Sequence, residues 1–192
     1  LYLYAGRKEA ARLEADRASE HAIELGPESA QAHASRALAL SLNEKDEEAE
    51  QEFEQAIRLD PDLFEARYFY ARHSFVHGQR EKAVRLYEEA MRIRPEDYQA
   101  PLLVAQSYDD LGRPEAAAAA RRLGIERAEQ HLKLNPDDAR ALYMAANGMA
   151  ALGEKQRAQA WAGRALKARP DDPMLLYNLG CVFSLLGCAD EA

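Results

Sequence analysis

The side chains best suited to chemistry are few. His73 and His77 lie four residues apart in the stretch HSFVH. On a helix that spacing brings two imidazoles to one face, as a divalent metal ion requires. Two ligands do not make a metal site, and no third is evident nearby in sequence. The pair therefore reads as a surface and packing pair, and no metal is expected. The run NEKDEEAEQEFEQ, residues 43–55, is dense in carboxylates. It opens a helix, where negative charge favours the free amides of the first turn, and it reads as a solvated face rather than an acidic docking patch. Cys181 and Cys188 are the two thiols. A disulfide between them would cross about two helical turns, which strains the required Cα separation, so reduced thiols in a cytoplasmic protein are expected. There is no Gly-rich phosphate loop, no Gly-x-Ser-x-Gly elbow and no kinase-type motif set. The reading is a non-enzymatic chain with no catalytic residue and no cofactor.

The elements that would position any site follow from bulk properties and periodicity. The chain has 192 residues, 47 % hydrophobic and 30 % charged, a composition that folds. Its formal net charge of −8 argues against nucleic acid and against an anionic membrane surface as partners. No run of about 18 apolar residues is present, so no membrane insertion is expected. The opening LYLYAGRKEA has no basic segment, no cleavage pattern and no initiator Met, which suggests a piece of a longer chain.

The dominant signal is repetition. IELGPES, IRLDPDL, MRIRPED, KLNPDD and LKARPDD are copies of one ending, with Pro27, Pro61, Pro95, Pro136 and Pro170 spaced 34, 34, 41 and 34 residues apart. Proline stops a helix, and the acidic residues after it (Asp97, Asp137, Asp138, Asp171, Asp172) offer oxygens to the free amides that begin the next one. Between endings the apolar residues follow helical spacing, as in Ala83, Leu86, Tyr87, Ala90 and Ile93. Gly78 closes the preceding helix. Each unit is thus helix, tight turn, helix. Ala71, Ala83 and Ala90 sit where two helices cross closely, with Tyr87 and Phe53 filling the space beside them.

These residues resemble the tetratricopeptide repeat. The unit 64–97 carries the match most fully, with Tyr70, Ala71, Gly78, Ala83, Tyr87, Ala90 and Pro95. The unit 30–63 gives Ala37, Leu40, Ala49, Phe53, Ala56 and Pro61, with Glu44 in place of the turn glycine. The resemblance implies an all-α, right-handed α-solenoid (superhelix) of antiparallel helix pairs. About four complete repeats and two partial ones are expected: a partial repeat at 1–29, then 30–63, 64–97, 98–138 with a lengthened second helix, 139–172, and a partial repeat at 173–192. The second helices of the units 1–29 and 98–138 carry four and seven extra residues, near one and two whole turns, and are expected to project beyond their neighbours. Gly124, inside the longer one, reads as a cost of about 1 kcal/mol relative to Ala.

The resemblance also implies a function. In this family the first helices line a concave face on which extended peptides bind. Carried over position by position, that face holds Tyr68, Arg72, Gln106, Arg140, Tyr143, Asn147 and Tyr177. Aromatic faces beside amide and guanidinium groups suit a peptide backbone. The clamp by which some members grip chaperone tails is not matched, since Tyr68, Arg72, Leu103, Arg140 and Met144 stand where Lys, Asn, Asn, Lys and Arg would be needed. The expected function is a protein-interaction scaffold for an extended peptide or partner helix. Two alternatives are a regulatory segment of a larger bacterial signalling enzyme of kinase or nucleotide cyclase type, and a self-association module. The last would use apolar edges at Leu1, Leu3, Val182, Phe183, Leu185 and Leu186.

Overall fold

The computed structural model describes residues 9–187, which form ten helices and no strand. They are α1 (Glu9–Leu25), α2 (Ala30–Leu42), α3 (Asp46–Leu59), α4 (Phe64–Val76), α5 (Arg80–Ile93), α6 (Gln99–Asp110), α7 (Pro114–Leu134), α8 (Ala139–Ala151), α9 (Lys155–Ala168) and α10 (Pro173–Leu186). The chain divides into two compact units, the first ending at Arg94 and the second beginning at Pro95. In the first, α2 pairs with α3 and α4 with α5, α1 packs on α2, and α4 lies against both α2 and α3. In the second, α6 pairs with α7 and α8 with α9, while α8 also contacts α6, α7 and α10.

The tight turns share one geometry. Gly78, Gly112, Gly153 and Gly187 have φ of 76°, 67°, 79° and 73°, and Glu44 takes the same place with φ 61°. In each of the four turns that lead into a described helix, the amide after the left-handed residue reaches back to a carbonyl five residues earlier. These bonds are Lys45 to Leu40, Gln79 to Ser74, Arg113 to Tyr108 and Glu154 to Met149, at 2.8–3.0 Å. They satisfy carbonyls that the helix end would otherwise leave unpaired. Glu44 is the one non-glycine with positive φ among the described residues, so an L side chain is held there in a strained conformation.

Helix starts follow the acidic endings. Asp97 Oδ2 accepts from Ala100 N at 2.6 Å, Asp138 Oδ1 from Arg140 N at 2.9 Å, and Asp172 Oδ1 from Met174 N at 3.0 Å. Ser29 caps α2 in the same way, through Ala32 N. Capping falls to the second aspartate of each pair, leaving Asp137 and Asp171 exposed.

Small residues set the crossings. Ala37, Ala71, Ala105 and Ala146 on the first helices, and Ala49, Ala83, Ala117 and Ala158 on the second, are all fully buried or nearly so. Phe53 and Tyr87 are sealed beside them. α7 has 21 residues where α3, α5 and α9 have 14. Its extra turns do not stand clear of their neighbours. Ile125, Ala128 and Leu132 are buried in one cluster with Tyr98, Leu102 and Leu142. Gly124 has a packing role, because a Cβ there would lie 2.5 Å from Leu102 Cγ. The expected apolar edge near the end of the chain is also only partly open. Val182 and Leu186 are buried, Phe183 packs half-buried on the core, and Leu185 is exposed. Leu1, Leu3 and Cys188 lie outside the described residues.

Candidate functional site

The seven expected groove residues all sit on first helices, where the repeat places them: Tyr68 and Arg72 on α4, Gln106 on α6, Arg140, Tyr143 and Asn147 on α8, and Tyr177 on α10. Their surroundings differ. In the first unit Tyr68 is only 4 % exposed. It stacks on Phe64 with ring centroids 5.4 Å apart and meets Phe69 and Tyr87 edge-on. Its ring is core, which corrects the expectation of a solvent-facing aromatic. The cause is the makeup of α4, whose sequence FEARYFYARHSFV is aromatic on several faces, so α5 can cover this one. Arg72 remains half-buried, with its guanidinium 5.7 Å from the Tyr68 ring centroid. Its Nη1 is enclosed with no hydrogen-bond partner among the described residues. A half-buried cation over an aromatic ring can meet a carbonyl or carboxylate only through the part of the guanidinium that stays in solvent.

In the second unit the helices α6, α8 and α10 lie side by side. Arg140, Tyr143 and Asn147 follow one another at three- and four-residue spacing, so they share a face of α8. All three are half-buried, and Tyr143 packs by one side on the core. Tyr177 on α10 stands one repeat further on and is 45 % exposed, while Gln106 on α6 is exposed. Asp138 fixes the start of α8 and therefore the position of Arg140. Its carboxyl loses solvation by burial. The amides of Ala141 and Arg140 and the His131 ring outweigh that loss and hold its pKa below the usual carboxylate range.

A second constellation arises in the first unit where the sequence offered only a histidine pair. Asp46, the first residue of α3, joins His73 and His77, with one ligand atom from each lying within 4.8 Å of the others. This supplies the third group that HSFVH lacked. Asp46 is distant in sequence and arrives only through the packing of α3 on α4, which explains why spacing alone did not reveal it.

The comparisons with known proteins agree with this architecture. The family profile of the tetratricopeptide repeat matches residues 1–64 and 71–123. The chain belongs to the tetratricopeptide repeat family. Among solved structures it is similar to YrrB, described as a tetratricopeptide protein with an unusual peptide-binding site, at 20 % identity and TM-score 0.56, covering 91 % of this chain and 86 % of that one. It is similar to MamA at 16 % identity and TM-score 0.56, covering 80 % and 86 %. It also resembles a chain of the Cut9–Hcn1 hetero-tetramer of the APC/C, at 18 % identity and TM-score 0.68, covering 94 % of this chain and 34 % of that one. No curated protein matches. Modules of this family generally serve protein–protein interaction, and none of the described helices is long and apolar enough to cross a membrane.

Proposed function

We propose that the chain binds an extended segment of a partner protein on its first helices, and that the face of α6, α8 and α10 in the second unit is the principal surface. The observation that carries this reading is the state of Arg140, Tyr143, Asn147 and Tyr177. The first three are half-buried and Tyr177 is exposed, on adjacent helices, at positions that repeat along the chain. Tyr143 and Tyr177 offer flat apolar contact, and Asn147 and Gln106 can each accept from and donate to a peptide backbone. Arg140 supplies positive charge, favouring a segment with acidic residues. In the first unit Arg72 is the corresponding polar contact, and Tyr68 supports it from beneath. YrrB, of similar fold, has a peptide-binding site, which makes peptide recognition a reasonable use of this scaffold.

The test is selection from a displayed peptide library against the whole chain, followed by calorimetry with the selected peptides. Tyr143→Ala combined with Asn147→Ala should weaken binding by at least about tenfold, since buried aromatic and hydrogen-bonding contacts dominate such interfaces. Selected peptides that bind the double variant as tightly as the original chain would remove this surface from consideration.

A second reading is favoured by one observation. Leu176, Tyr177 and Leu185 are all exposed on α10, and Tyr177 and Leu185, about 80° apart around the helix, offer apolar surface to a second copy of the chain. Light scattering across a concentration series separates this occupant from a peptide.

A further inference from the structure

We propose that Asp46, His73 and His77 form a binding site for a divalent transition-metal ion of the zinc type, with Glu50 beside them as an outer carboxylate. This inference is independent of the peptide-binding reading, since the site lies in the first unit between the start of α3 and the end of α4.

Two of the three already touch, through His77 and Asp46, and each of the other polar atoms here can be accounted for one by one. His77 Nδ1 lies 2.8 Å from the carbonyl oxygen of His73. A carbonyl can only accept, so this nitrogen carries a proton. His77 Nε2 points at Asp46, 3.0 Å from Oδ2. His73 Nδ1 lies 2.8 Å from Ser41 Oγ, and in the tautomer that donates to that hydroxyl Nε2 keeps its lone pair. His73 is 4 % exposed, and its Nε2 is buried with no hydrogen-bond partner among the described residues. Asp46 Oδ1 is buried and unpartnered as well. With that tautomer an imidazole nitrogen and a carboxylate oxygen are both buried acceptors, and neither has a hydrogen-bond donor among the described residues. Buried polar atoms are ordinarily satisfied, and a cation would satisfy both at once.

The outer groups fit the same occupant. In metal sites a ligating histidine donates its other nitrogen to a carbonyl, hydroxyl or carboxylate, which fixes the ring and its tautomer. His77 has its carbonyl and His73 its hydroxyl. Glu50 Oε1 stands 3.9 Å from His73 Nε2, too far for a hydrogen bond but close enough to balance an ion's charge. Lys82 is the cation nearby. It is paired with Glu50 at 2.9 Å and sits over the Tyr70 ring, so its charge is already matched. Glu47 and Glu54 line the same cleft and leave it acidic. Two imidazoles and a carboxylate, with a side open to solvent through the exposed His77, match zinc, cobalt or nickel better than calcium or magnesium, which prefer oxygen alone. Tetrahedral zinc separates its ligand atoms by about 3.3 Å, and those of the three residues lie within 4.8 Å of one another.

The experiment uses the full chain, stripped with chelator and titrated with cobalt(II) as a spectroscopic probe, then competed with zinc(II). The expected result is one ion per chain, with visible bands of low-coordinate cobalt that zinc abolishes, and a Tm that rises with zinc. His77→Ala, at an exposed position, and Asp46→Asn, nearly isosteric, should each weaken binding by at least about tenfold while circular dichroism stays unchanged. His21→Ala, on α1, should bind as the original chain does. A cobalt spectrum that remains that of the hydrated ion, or binding that survives both site substitutions, would overturn the proposal.

Discussion

Gly124 of α7 and Leu102 of α6 approach so closely that a Cβ on the first would lie 2.5 Å from Cγ of the second and 3.1 Å from its backbone nitrogen. Leu102 is 6 % exposed and is crowded on a second side, where its Cδ2 would lie 3.0 Å from a Cβ at Gly148. Helix propensity favours Gly124→Ala by about 1 kcal/mol, while overpacking costs about 1–3 kcal/mol. The contact should win, and the variant should be less stable by about 1 kcal/mol or more in urea unfolding. A gain in stability would show that the two helices can part without penalty.

Glu44 presents the opposite case. Its φ of 61° is a conformation that glycine adopts freely in the other turns. Its side chain is exposed, so nothing is lost by removing it. Glu44→Gly should raise stability by about 0.5–1 kcal/mol, the relief of left-handed strain less the entropy glycine loses on folding. Thermal unfolding of the two chains measures this directly.

Tyr68 and Tyr177 hold equivalent places in their helices and should respond differently. Tyr68→Ala removes a ring packed among Phe64, Phe69 and Tyr87 and should cost about 3 kcal/mol. Tyr177→Ala, at an exposed site, should change stability by no more than about 0.5 kcal/mol while weakening peptide binding. Equal losses of stability would mean that the α10 tyrosine is also structural.

Asp138 gives the second unit a defined response to acid. Its folded pKa lies below the unfolded value because the amides and His131 favour the charged form over the cost of burial. The stability it contributes is therefore complete above about pH 4 and is lost as pH falls through the lowered folded value. Asp138→Asn keeps the cap but not the charge. The variant should be less stable than the original chain at pH 7, and the gap should narrow by pH 3. An unchanged gap between those pH values would mean that ionisation of this carboxyl is not what matters.

The helix pairs, the turns and the cap positions were legible because they rest on local chemistry: proline, glycine and aspartate recurring every 34 residues. Gly124 was visible in sequence but was weighed as a helix breaker. Counting 34 from Ala90 lands on it, at a position kept small in the repeat, and that count carries the packing argument. The burial of Tyr68 was not legible, because α4 has aromatic residues on several faces and periodicity does not say which one the neighbouring helix covers. Asp46 could not be joined to HSFVH by any spacing rule, since the stacking of one repeat on the next supplies the proximity.

The seven extra residues of α7 have a mechanical consequence. At 3.6 residues per turn, seven residues advance a helix by almost two full revolutions and shift its angular phase by only about 20°. Removing seven consecutive residues from the middle of α7 would leave every later side chain pointing nearly where it did. Removing three would swing the remainder through about a sixth of a circle and turn Leu132 off the core. Length in this chain is therefore tolerated in quanta of the helical pitch, and a cut of the wrong size acts as a rotation.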